Sequence, residues 1–483
     1  MCVEFAIFAL CNQDDFAMKS TFLRSLSFFL PALLAVNGVT LDVQATDPPI
    51  RLARYRQPDF PCERRLYDFV VPRDGNIREA IEAANGRKDT TRRFRIFVMP
   101  GDYVVPCQGE RTGGDGQKYP DPRMWLRTPN VSIVGEERDC CVVRNVLPEA
   151  TWDNGFGAAS PLEGIGNADV LILEKAAHDC YFQDITLRNG MADRTGRNIV
   201  LHDRSTHTIC RDVRLWGYQD TYVSNNQHGQ YYFIGGVIRG CTDYICGKGD
   251  VFFDGVTFQQ CGTGGYICAP SVPKEFGYVM SSCSVKVETP DVTYYWGRPW
   301  GKETPTAIWL YTGVDKGPIT KDKKGYNAWA DMGSGGWPAR FAEYGSHLLS
   351  TLDTLDLTGR RSLWVDKEGG EHPNNPYVTR REALKYQLKN VFPDWKPRDF
   401  TNEAYPIIKV EMKGRRISWT DSPDALLYAV CLDGRIVDFT TDHRYTTKVS
   451  AVPERWSIRP ANQMGGLGQA YKVGSNLERI LEP

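Results

Sequence analysis

The sequence has almost no surplus of charge: 58 Lys and Arg stand against 59 Asp and Glu. Bulk electrostatics is therefore not how this chain selects a partner, and nucleic acid is not expected as one. Its seven histidines, among them His202, His207 and His228, show no metal-ligand spacing along one strand, so neither a metal site nor a cofactor is expected. No G-x-S-x-G elbow is present, which argues against a serine hydrolase. "GKGDV" at 247–251 is too short for a phosphate loop and reads as a turn. Helical periodicity is scarce, confined to "IREAIEAAN" (77–85) and "REALKYQLKNVF" (381–392). Long apolar runs are scarce as well. The run "SLSFFLPALLAV" (25–36) is short for a membrane span and holds Pro31. With Lys19 and Arg24 before it and Val43-Gln44-Ala45 after it, it has the layout of a secretory signal peptide over residues 1–45. Met18 is the natural start of that peptide, and no lipid-anchoring cysteine sits at the cleavage point, so a secreted or periplasmic protein is expected. The 14 cysteines are spread through strand-like segments without a small-domain disulfide spacing, and buried thiols are the expectation.

What the sequence does have is a loose repeat. "CYFQDITLRN" (180–189), "TICRDVRLWG" (208–217), "YYFIGGVIRG" (231–240), "VFFDGVTFQQ" (251–260) and "GYVMSSCSVKV" (277–287) each carry apolar residues, a small or acidic turn, then an alternating stretch. Ile185, Val213, Val237 and Val256 fall at matching places, in steps of 28, 24 and 19. Strand signals at such spacing suit one turn of a solenoid per repeat. The expected fold is all-β: a right-handed parallel β-helix over 46–400, with the two helical segments as end pieces. Tyr231, Tyr232, Phe252 and Phe253 are expected in its core stack. Past the Pro-rich stretch 394–406, short alternating strands with Gly-rich turns predict a β-sandwich over 401–483. Trp419, Tyr428 and "WSIRPANQMGGLG" give this part a resemblance to fibronectin type III domains, with Trp456 where that family has a tyrosine. The resemblance implies a spacer or docking module, open to glycan or protein contact, without chemistry of its own.

In a stacked β-helix, residues one coil apart lie about 5 Å from one another. Asp243 follows Asp220 by 23 residues and Arg298 follows Asp243 by 55, so all three can share one outer face. Two carboxylates brought together do not both ionise cheaply; one takes a proton and the other, beside a guanidinium, stays anionic. Gln219 adds an amide able to meet a developing oxyanion. An acid, a carboxylate nucleophile and an amide donor make an ester-cleaving set.

"GYQDT" (217–221), "GCTDYICG" (240–247) and "YWGRPW" (295–300), in this order and spacing, resemble the signature segments of the pectin methylesterases. "FVMPGDY" (97–103), "NVSIVGEERD" (130–139) and "FQDITLRNG" (182–190) are similar to that family's early coils, so the resemblance covers roughly 65–400. It implies methylated homogalacturonan as substrate. It also implies Asp243 as nucleophile, Asp220 as acid then base, Gln219 as oxyanion donor, and Arg298 as the group that holds Asp243. Trp300 and Trp296, with Tyr218, are expected to line the sugar groove, where aromatic faces suit a pyranose ring. The sequence departs from the family at Tyr244 and Cys246, which replace phenylalanines, and in a leucine missing after Thr221. At the family's upstream glutamine it has Arg197 or, with a one-residue slip, Asn198, the latter a candidate substrate contact. Two other functions stay open: a non-catalytic pectin-binding relative, and a lyase on the same fold.

Overall fold

The computed structural model describes residues 63–112, 116–145, 169–193, 196–301 and 303–477, all within one compact unit. The signal-peptide expectation for 1–45 falls outside them. Three parallel sheets of ten, nine and seven strands wind around a common core as a right-handed β-helix. The ten-strand sheet runs from Phe69–Val71 to Arg340–Tyr344, the nine-strand sheet from Gly101–Val105 to His347–Leu348, and the seven-strand sheet from Met124–Leu126 to Tyr294–Gly297.

The repeat recognised in the sequence is the corner between the first two sheets. Asp184, Asp212, Gly235, Gly255, Ser282, Tyr311 and Gly345 follow one another up the ladder, and all have φ between 49° and 68°. A single left-handed residue per coil turns the chain, and Asp and Gly tolerate that conformation best. The next position in each coil is Ile185, Val213, Gly236, Val256 and Cys283. Val237, expected in that column, is instead one place further on, paired with Arg214 and Thr257. The Gly235-Gly236 pair hides the slip, because a Cβ on Gly236 would sit 2.3 Å from the Val213 carbonyl oxygen.

Strand residues of the ten-strand sheet alternate between two cores. Val71, Ile96, Val98, Phe182, Tyr231, Phe233, Phe253 and Met280 point into the solenoid. Val70, Phe97, Tyr181, Tyr232, Phe252, Val279 and Ile308 point out of it and are buried as well. A sheet covered on both faces accounts for the nearly unbroken apolar runs. Of the four aromatics expected in the core stack, Tyr231 and Phe253 are inside the solenoid, whereas Tyr232 and Phe252 lie under the cover.

Part of the cover is the segment 378–400, whose Val378, Ala383, Val391, Phe392 and Trp395 join the same apolar cluster, and the rest is the C-terminal part. It consists of two antiparallel sheets, one of three strands (Val410–Lys413, Arg416–Trp419, Arg444–Thr446) and one of four (Arg435–Thr440, Tyr428–Leu432, Trp456–Pro460, Tyr471–Lys472). Tyr428, Val430, Trp456 and Ile458 face the three-strand sheet, closing a core with Val410, Ile417 and Trp419. Their strand neighbours Ala429 and Cys431, with Leu427, Ala461 and Met464, pack on the solenoid's outer face. Tyr67 Oη donates to the Gly465 carbonyl, and Arg398 pairs with Asp254 beside Tyr232. This part is seated on the solenoid through an apolar contact, so it does not act as a spacer.

The helix Ile77–Asn85 plugs one end of the solenoid with Ile77, Ala80, Ile81 and Ala84. Asn76 and Glu79 close a reciprocal capping box at its start, a device that contributes about 1 kcal/mol. The second expected helix, 381–392, is instead broken into Arg380–Ala383, a 3-10 turn at Leu384–Tyr386, and Leu388–Val391. No helix among the described residues is long and apolar enough to cross a membrane.

Candidate active site

The chain entering two successive strands of the seven-strand sheet, Tyr222–Ser224 and Thr242–Gly247, builds the site: Asp220 precedes the first by two residues, and Asp243 is the second residue of the other. Isolated bridges link Arg197 to Gln219 and Gln219 to Thr242 across three coils. The next residues along the chain, Asp220 and Asp243, therefore lie side by side on adjacent coils, and Asp220 N–H donates to the Thr242 carbonyl at 3.2 Å. Both aspartates have left-handed backbones, with φ 56° and 49°. The ladder to the next coil shifts register between Thr242 and Ile245, an irregularity that takes in Asp243 and Tyr244. Bulges and left-handed non-glycine residues re-aim side chains, and they concentrate at functional positions.

Arg298 arrives two coils later, just after the strand Tyr294–Gly297. Its Nε and Nη2 donate to Asp243 Oδ1 and Oδ2 at 2.9 and 2.8 Å, a two-pronged clasp on the carboxylate. Its guanidinium lies 3.8 Å from the centre of the Tyr266 ring, which stacks in turn on Tyr295 at 5.2 Å. Tyr266 escaped the sequence reading because no signature segment contains it, whereas Tyr295 stands in "YWGRPW" without an assigned role. The pairing of Tyr266 with Thr242 one coil before it is the signal that would have found it.

The two carboxyls are 5% and 6% exposed. Burial, then the neighbouring Asp243 charge, push Asp220 up to about 7, with Arg197 and Arg298 pulling the other way. Burial also raises Asp243, against the clasp of Arg298. The aspartate with the guanidinium fork is the one held as an anion, and Asp220 is the one that keeps a proton near neutral pH. Part of the dry wall around Asp220 is Cys246, whose Sγ lies 3.6 Å from Asp220 Oδ1. Cys246 belongs to an apolar patch with Ile199, Val223 and Ala269, on which Trp300 packs half-buried beside Met332.

Gln219 is half-buried; its backbone N–H donates to Asn198 Oδ1, and its side-chain amide has no hydrogen bond among the described residues. Tyr218 is half-buried too, with its hydroxyl against Gly262. Asn198 is a correction. It is 1% exposed, its Oδ1 accepts from the Tyr218 and Gln219 backbone, and its Nδ2 donates to the Met191 carbonyl, so its side chain braces the turn from within rather than standing open at the site. Arg197 is the residue at the site, its Nε 3.4 Å from Asp220 Oδ2. Trp296 is the second correction. It is fully buried inside the solenoid, donating from Nε1 to Glu343, which also takes Arg360. Strand alternation sends Trp296 inward, whereas Trp300 lies half-buried on the apolar patch beside the aspartates. No group of three or more His, Cys, Asp or Glu among the described residues is placed to hold a metal ion.

With this geometry in hand, the chain can be set beside known proteins. No family model matches it. It is 25% identical over 376 residues to the Arabidopsis thaliana protein "Probable pectinesterase/pectinesterase inhibitor 60", covering 69% of this chain and 61% of that one. To "Pectinesterase 2.1" of Solanum lycopersicum it is 21% identical over 257 residues, covering 50% of this chain and 41% of that one. The chain thus spans between two fifths and three fifths of these relatives. Among solved structures, pectin methylesterase from carrot superposes with a TM-score of 0.50 at 16% identity, over 68% of this chain and 94% of that one. The sequence relatives support the pectinesterase family, and the carrot structure supports the fold.

Proposed function

We propose that this chain is an exported pectin methylesterase that hydrolyses C6 methyl esters of homogalacturonan to pectate and methanol. The observation that carries this is the pair of buried aspartates on adjacent coils, one clasped by Arg298 and the other pushed up to about 7. Asp243 Oδ attacks the ester carbonyl carbon, and the oxyanion is met by the side-chain amide of Gln219. Asp220 gives its proton to the departing methoxide, so methanol leaves and an acyl-enzyme joins the uronate carbonyl to Asp243. The Asp220 carboxylate then takes a proton from water, whose oxygen attacks the acyl carbon. The acyl–Asp243 bond breaks, the product leaves as the uronic acid and gives its proton to solvent, and both aspartates return to their starting protonation. Trp300 supplies a ring face for the sugar.

Residues 1–45 read as the export signal and 46–400 as the catalytic domain. For 401–483, two antiparallel sheets of three and four strands with Trp419 and Tyr428 in their shared core favour a fibronectin type III-like module. The test is methanol release from methylated homogalacturonan, with ultraviolet absorbance followed in parallel. Methanol without absorbance is the expected outcome. Absorbance from an unsaturated product would indicate a lyase, and binding without either signal would indicate a non-catalytic relative.

A further inference from the structure

Among the described residues, Arg197 is the charged group at the site that takes no step in the ester chemistry above, though its charge lowers the Asp220 pKa. It shares its register position with Gln219 and, one coil on, Thr242, so it stands at the end of the row beside the two aspartates. Its Nε is 3.4 Å from Asp220 Oδ2, yet its side chain is 45% exposed. The guanidinium is therefore held at the rim by one contact, with much of its surface open to solvent. With Asp220 protonated and Asp243 ionised, the two aspartates and two arginines sum to one net positive charge; an amide at 197 would leave the set neutral. A guanidinium presents a planar fork of donors matched to a carboxylate, which an uncharged methyl ester does not reproduce.

Building on the pectinesterase reading, we propose that Arg197 is a specificity-determining residue that binds a free uronate carboxylate next to the ester being cleaved. The preferred substrate is then a partly de-esterified polyuronate, in which neutral esters sit among anionic units. Such a substrate must be supplied by an earlier, incomplete de-esterification of a more fully methylated chain.

The test is kcat/KM for methanol release on sparsely and on nearly fully methylated homogalacturonan at equal ester concentration. The wild type should favour the sparse substrate roughly tenfold or more, the size of a charge-assisted contact. Added salt should erode that preference. Arg197→Gln should bring the ratio close to one, mainly by raising KM on the sparse substrate, and Arg197→Lys should keep part of the preference. An unchanged ratio and salt response in Arg197→Gln, or no preference in an active wild type, overturns the assignment while leaving the esterase standing. A wild type that releases no methanol from either substrate overturns both.

Discussion

Two outward faces of one solenoid are built on the same alternation and end in opposite conditions. On the ten-strand sheet the outward residues are Phe97, Tyr181, Tyr232, Phe252 and Ile308, and the segment 378–400 and the C-terminal sheets together bury them. On the seven-strand sheet the outward patch of Ile199, Val223, Cys246 and Ala269 is small and only partly roofed by Trp300 and Met332. Beside that patch stand two buried aspartates. The covered face stabilises: each fully buried large apolar side chain contributes about 1.5–3 kcal/mol. The other face holds its carboxyls where burial disfavours their charge, a cost carried at the site. Chemistry sits where the solenoid is left open, and stability is collected where it is closed.

Removing the clasp should break the site face most severely. Arg298→Leu leaves Asp243 buried without its guanidinium, so its pKa rises further. A fall of roughly 10²- to 10³-fold in kcat/KM is expected at neutral pH, with partial recovery as pH rises, read from the pH profile of methanol release. Gln219→Ala should lower kcat by about 10²-fold or more with little change in KM, as loss of an oxyanion donor does. On the covered face, Phe252→Ala should cost about 3–5 kcal/mol in a denaturant melt and leave kcat of the folded protein unchanged.

A subtler contrast concerns pH. Asp220 has a folded value of about 7 against an ordinary 3.8. The stability that this raised value contributes is fully present below the ordinary value and is lost as pH rises through 7. Asp220→Asn should therefore melt with the wild type at pH 4 and above it at pH 8, by up to a few kcal/mol, while losing activity. The smallest effect separates the two tryptophans. Trp300→Ala should raise KM several-fold, and Trp296→Phe, which removes the bond to Glu343 and shrinks a fully buried ring, should cost about 1–4 kcal/mol with KM unchanged.

The solenoid was legible because its corner repeats chemically: Asp, Asp, Gly, Gly, Ser at one left-handed position per coil. It became ambiguous only at Gly235-Gly236, where two glycines make the position uncertain by one. Asp220, Asp243 and Arg298 were legible as a set because ladder spacing converts sequence distance into coil number. Trp296 and Asn198 were not, and for the same reason. Neighbouring residues point opposite ways: Trp296 turns inward along its strand, and beside the isolated bridge at Arg197 the Asn198 side chain folds onto the Tyr218–Gln219 backbone while Arg197 reaches Asp220. Tyr266 has no motif of its own and enters through its coil neighbours. The seating of the C-terminal sheets was invisible because outward Tyr232 and inward Tyr231 look alike in a sequence buried on both sides.

The most direct test of the aspartate pair is the rate of methanol release by Asp243→Asn, which keeps the shape of the side chain and removes its charge. A loss of at least about 10³-fold, with folding and polymer binding retained, is the predicted result. A variant that releases methanol at a rate near that of the wild type would contradict an account in which Asp243 forms the acyl-enzyme.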